Sequence, residues 1–191
     1  MIDSVLRFPH PTIDSALKTC DIMDNEELNC LLTSSSAVKK KYTNVIYNFD
    51  TLPRHLLNDK FYLCNTKSEH ADYKIPGHWV TMLVYQDKIA YCDSFGLFPE
   101  PQFITTLLNQ KDREIYYMNA HLQNFKASSC GLHSLVFCTA FSYGMSVNSI
   151  LTNIYGYDSN LHDDEPFFYD LIAKEFVSTY YGETRSIFYE P

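Results

Sequence analysis

Four residues have the types and spacing to do nucleophilic chemistry together. The first is Cys130, in "KASSCGLHSLVFC" (126–138), where small polar residues give way to an apolar run. That pattern places the thiol in the first turn of a helix. Unsatisfied backbone N–H groups at a helix start favour an anion, so a reactive thiolate is the chemistry to expect. Gly131 would let a substrate approach the backbone closely. The small Ser128 and Ser129 leave room, and their amides are candidate oxyanion donors. Cys138 lies well inside the apolar run and reads as an ordinary buried cysteine.

A thiol nucleophile needs a base, a group that orients the base, and a donor for the oxyanion. His78 opens the run "HWVTMLVY", and Asp93 closes the run "KIAYCD"; only "QD" separates the two runs. Both are rich in β-branched and aromatic residues, which predicts a tight hairpin. A hairpin brings the start of its first strand back beside the end of its second. His78 and Asp93 therefore meet at one sheet edge, where a carboxylate fixes the imidazole tautomer and stabilises its cation. Gln123, seven residues before Cys130 at the end of "EIYYMNAHLQ", has a side-chain amide that donates without adding charge. Each of these residues alone has a bland explanation in packing or at the surface; the four in this arrangement do not.

The elements that carry them predict an α+β fold with a small, mostly antiparallel central sheet flanked by helices. "NVIYNF" and "FYLCNT" read as strands, and "EIYYMNAHL" as another. "NEELNCLLTSSSAVKKKY" reads as a helix with a basic end, and "PEPQFITTLLNQK" as a short helix entered through prolines. The apolar helix holding Cys130 is expected over 129–143, ended by Gly144. "SVNSILTNIYG" and "DEPFFYDLIAKEFVSTYYG" read as helices ending at Gly156 and Gly182. In the first 20 residues, Thr12 or Asp14 is placed to cap a short helix after Pro9 and Pro11.

The 191 residues suggest a single domain, with a helical segment over 1–43, a catalytic core over 44–143 and helices over 144–191. A net charge of −8 repels phosphate backbones, which argues against nucleic acid as the main partner. The six cysteines form no CxxC pair, so a zinc ribbon is not expected and reduced thiols in an intracellular compartment are. No signal-peptide pattern and no membrane-length apolar run is visible. His133 lies within reach of Cys130 on one helical face, but a dyad there would aim the imidazole into the core, so packing is the expected role. His70, Cys64 and Cys92 match no metal-site spacing. "HDDE" (162–165) is explained as an acidic helix start.

"GHWV", "CDSFG" and "LQNFKASSCGLHSLVFC" together resemble the adenovirus protease (adenain) family, and more closely the related proteases of Maverick/polinton elements and adintoviruses. "YNFDTLP" resembles the segment before the first strands of those enzymes. The likeness runs from about Asn44 to Tyr143, with the same order of His, acid, Gln and Cys and the same Gln-to-Cys spacing. It implies a papain-like fold with His78 as base, Asp93 as its partner, Cys130 as nucleophile and Gln123 as oxyanion donor. Trp79 takes a position that is aromatic in the family, next to the active site. The implied substrate is a viral structural precursor polypeptide, cut beside glycine, in the host cell or virion. Adenain is activated by DNA and by a short peptide held through a disulfide. This chain has no cysteine between Asp93 and Gln123 where that link would fall, and its charge opposes DNA. No cofactor is therefore carried over, and an activating peptide is left open. Two rival readings are a ubiquitin-like-protein deconjugating protease, whose glutamine usually lies six residues before the cysteine, and an inactive protein-binding descendant.

Overall fold

A computed structural model describes residues 23–72, 77–157 and 166–185. The first helix, α1, spans Asn25–Ser34 and is capped by Asp24, whose carboxylate accepts from the Glu27 amide at 2.8 Å. The single helix expected here breaks at Ser35, which is extended (φ −95°, ψ 126°), and α2 resumes over Ser36–Lys41. The cause is the hydroxyl-rich junction: Thr33 and Ser34 donate back to carbonyls of α1, which competes with helix propagation.

Five strands form one sheet in sequence order: β1 Tyr47–Asn48, β2 Lys60–Asn65, β3 Trp79–Val84, β4 Lys88–Cys92 and β5 Glu114–Tyr117. The central pairs β2–β3 and β3–β4 are antiparallel, whereas the outer pairs β1–β2 and β4–β5 are parallel. The sheet is thus antiparallel only at its centre. β3 is buried along its whole length, and its side chains alternate between two cores. Trp79 and Leu83 join one core, with helix α4 (Cys130–Ser142); Val80, Met82 and Val84 join the other, with α3 (Pro101–Leu108).

The strand expected over "EIYYMNAHL" stops at Tyr117. Its pairing with β4 ends at Tyr91↔Tyr117, and the chain leaves as an irregular loop through Gln123. α4 is buried on every side from Cys130 to Phe141, as befits a core helix. It ends before Gly144, which adopts the left-handed φ of +85°. A short helix, α5 (Val147–Ser149), leads into a π-helical turn over Ile150–Ile154, where one regular helix was expected. The final helix, α6, runs over Pro166–Arg185, past the stop expected at Gly182. A glycine inside a helix costs only about 1 kcal/mol against Ala. Buried Tyr181, whose hydroxyl meets Thr139 Oγ1 at 2.6 Å, ties this turn to α4. The expected N-terminal cap at Thr12 or Asp14 and the acidic run His162–Glu165 lie outside the described residues. Among the described residues, no single helix is long and apolar enough to cross a membrane.

Leu83 has no exposed surface, whereas Leu108 is 69% exposed. Leu83→Ala should cost about 2–5 kcal/mol in denaturant unfolding, and Leu108→Ala less than about 0.5 kcal/mol. Equal costs would mean that β3 does not cross the core.

Candidate active site

The β3–β4 register sets the site. Thr81 pairs with Cys92, so the residue before β3 and the residue after β4 emerge together. These are His78 and Asp93. The His78 backbone is held on its other side by β2's extension: its amide donates to Thr66 Oγ1 at 3.1 Å, and its carbonyl accepts from the Thr66 amide at 2.9 Å. Its ring Nε2 lies 2.7 Å from Asp93 Oδ1. A carboxylate only accepts, so Nε2 carries the hydrogen and Nδ1 is left for another partner.

Asp93 is itself fixed. Its Oδ1 accepts from the Phe95 amide at 2.9 Å, and its carbonyl accepts from the Gly96 amide at 2.8 Å. Gly96 sits at φ +68°, and a Cβ there would fall 2.9 Å from the Ala120 carbonyl, so this turn requires glycine. The turn folds Phe95 over His78, with ring centroids 4.6 Å apart, and Phe125 stacks on Phe95 in turn.

The electrostatics of His78 follow. Burial, the largest influence, disfavours the charged ring. It is outweighed by hydrogen bonds with Asp93 and Cys130 and by the negative charge of both, so the His78 pKa rises from 6.5 to about 9. The thiol beside the ring is Cys130, the first residue of α4. Burial pushes the thiols of Cys64, Cys92 and Cys138 well above the ordinary thiol range. The described cysteines are all free thiols.

Gln123 is buried (1% exposed) and clamped at both ends of its amide. Ser94 Oγ donates to its Oε1 at 2.6 Å, and its Nε2 donates to the Ala127 carbonyl at 2.7 Å. The Ser94 carbonyl also accepts from the amides of Leu122 and Gln123. One Nε2 hydrogen remains for a ligand. Ser94, next to Asp93, thus links the Asp93 turn to the Gln123 amide. His78, Trp79, Gln123, Ser128 and Cys130 all line one open cavity of about 770 Å³, whose lining also includes Asp24, Glu26 and Glu69.

Two sequence expectations change in detail. Gly131 does not line this cavity; a Cβ there would lie 3.1 Å from Met23 Cβ and 3.3 Å from Trp79 Cδ1, so the glycine admits close packing against the helix start. Ser129 is also off the cavity, and its hydroxyl donates to Asp170 at 2.6 Å. Trp79 is buried (5% exposed), and its indole N–H donates to the Met23 carbonyl at 3.1 Å. His133 is wholly buried, with its nitrogens on Tyr155 and Asp170, and makes no dyad with Cys130. Ser94, Phe95 and Asp170 were not singled out from sequence. Ser94 and Phe95 lie in the quoted "CDSFG", but only the fold reveals their contacts. Among the described residues, no cluster of His, Cys, Asp and Glu could hold a metal ion.

No family model and no curated protein matches the sequence. Among solved structures, the chain is similar to the ASFV pS273R protease, at a TM-score of 0.47 and 15% identity over 76% of this chain and 65% of that one. A selenomethionine form of the same protease aligns at a TM-score of 0.38 and 20% identity, over 60% of this chain and 42% of that one. The chain spans less than two thirds of the length of either solved chain.

The raised His78 pKa has a testable sign. His78 contributes stability that is complete below pH 6.5 and is lost as the pH rises through about 9. The stability gap between the wild type and His78→Gln should therefore shrink between pH 6 and pH 10. By NMR, His78 should titrate near 9 and move down in both Asp93→Asn and Cys130→Ala. A His78 titration that ignores both substitutions would show that neither group faces the ring.

Proposed function

We propose that the protein is a cysteine endopeptidase. The observation that carries this reading is the half-buried His78–Asp93 contact at 2.7 Å, with Cys130 lining the same cavity as the ring and raising its pKa. A raised imidazole pKa beside a thiol favours the thiolate–imidazolium pair, the reactive form of such a site. The thiolate sulfur of Cys130 attacks the scissile carbonyl carbon, forming a C–S bond as the C=O electron pair moves onto oxygen. The Gln123 N–H and the Cys130 backbone amide receive that oxyanion. Collapse breaks the C–N bond, and the His78 Nδ1 proton goes to the leaving amine. A water then gives its proton to His78 and attacks the thioester, and cleavage of the C–S bond restores the pair. Asp93 holds the ring's tautomer throughout.

The substrate proposed is a precursor polypeptide of a virus or virus-like element, processed inside the host cell or virion, with glycine beside the scissile bond. Its support is the motif resemblance together with buried Trp79, which walls the cavity next to the base. A side chain at the cut would hold the carbonyl away from sulfur, and a misplacement of about 1 Å can cost ~10²-fold in rate.

Cys130→Ala should abolish peptide hydrolysis, and Cys138→Ala should leave it active. His78→Ala should lower kcat by roughly 10²–10⁴-fold, and Gln123→Ala by about 10²–10³-fold. Comparable losses from both cysteine variants, each still folded, would refute the nucleophile. A positional-scanning peptide library should show the glycine preference in kcat/KM. Efficient cleavage of SUMO or ubiquitin conjugates, with no peptide hydrolysis, would favour the deconjugating reading.

A further inference from the structure

Four buried polar groups outside the cavity form a chain that ends on the residue before Cys130. Tyr155 Oη lies 2.8 Å from His133 Nδ1, His133 Nε2 lies 2.8 Å from Asp170 Oδ1, and Ser129 Oγ donates to the same Asp170 oxygen at 2.6 Å. Tyr155, Ser129, Asp170 and His133 are between 0% and 6% exposed. Asp170 belongs to α6, so one carboxylate oxygen from the last helix bridges residues 129 and 133, one turn of the nucleophile's helix.

Ser129 is the N-cap residue of α4. An N-cap serine ordinarily turns its hydroxyl oxygen to the amides of the second or third helical residue. Here the side chain makes no such bond, and the backbone (φ −90°, ψ 7°) departs from the extended form that capping uses. Ser146 shows the ordinary case in the same protein: it is extended (φ −79°, ψ 162°), and its hydroxyl accepts from the Ser149 amide. At Ser129 the hydroxyl is committed to Asp170 instead. The amides of the first turn are the positive end of the helix dipole, and a cap acceptor there would compete with any anion at Cys130.

Resting on the protease reading, we infer that Asp170 is a positioning residue: by holding Ser129 off the helix start, it keeps the first-turn amides of α4 free for the Cys130 thiolate and the oxyanion. His133 and Tyr155 fix the carboxylate from behind. None of the four lines the cavity, so the effect belongs in the chemical step rather than in substrate binding.

The test is the rate of Cys130 alkylation by iodoacetamide at pH 7, resolved by peptide mass spectrometry, with peptide kcat and KM measured alongside. Asp170→Ala removes the acceptor and frees the Ser129 hydroxyl to cap. It should slow alkylation and kcat by about 3–30-fold, the range set by helix-terminus charge effects, with KM changed less than about twofold. Adding Ser129→Ala to Asp170→Ala removes the competing cap and should restore much of the lost rate, although it restores no contact. Ser129→Asn leaves Asp170 and His133 paired but supplies a strong cap acceptor; it should slow alkylation comparably, and it decides the matter if Asp170→Ala does not fold. Folded variants that alkylate at the wild-type rate overturn the inference, as does a loss in Asp170→Ala that Ser129→Ala fails to relieve. A wild-type Cys130 no more reactive than a thiol of the denatured chain would instead overturn the protease reading, and this inference with it.

Discussion

The contact between His78 and Asp93 is the constraint on which the site depends. It joins the residue before one central strand to the residue after its neighbour, so it exists only in one register of β3 against β4. A one-residue slip would turn every side chain of β3 to the opposite face. That slip is opposed by two cores at once, since β3 buries alternate residues in each. Hydrophobic packing along the strand therefore sets the geometry of a polar pair at its mouth. The same pair sets the charge of the imidazole, against the burial that would neutralise it.

Around this pair, the rest of the site is built from short reaches of chain. The turn after β4 supplies Asp93, the Phe95 ring over His78 and the Ser94 clamp on Gln123. The loop after β5 brings Gln123 in, and α4 delivers Cys130 from within the larger core. Trp79 and Met23 close on Gly131, which lets the helix start sit tight against the strand that follows His78. The result is a half-buried His78–Asp93 pair on the wall of an open cavity.

Much of this was legible in the sequence because it rests on local signals. The hairpin followed from two β-rich runs with a two-residue gap, and with it the meeting of His78 and Asp93. The helix start at Cys130 followed from the change from small polar to apolar residues. What was not legible depends on partners distant in sequence. The orientation of Ser129 is set by Asp170, which lies in the last helix, and no local pattern announces that pairing. Gly131 reads as a gap for substrate until Met23 and Trp79 are seen to fill it. The end of β5 at Tyr117 is set by where β4 stops, although the apolar pattern runs on through Met118 to Leu122. The break at Ser35 had a local cause in its hydroxyl-rich run, but the surrounding helical periodicity concealed it.

The central claim is that Cys130, paired with His78, forms covalent intermediates with peptide carbonyl groups. The direct measurement is intact-mass and peptide-map analysis after incubation with a peptidyl vinyl sulfone ending in glycine, in the wild type and in His78→Ala. The account predicts one adduct per chain, on Cys130, forming far more slowly without His78. An adduct on the partly exposed Cys30 instead, or equal labelling of Cys130 with and without His78, would contradict it.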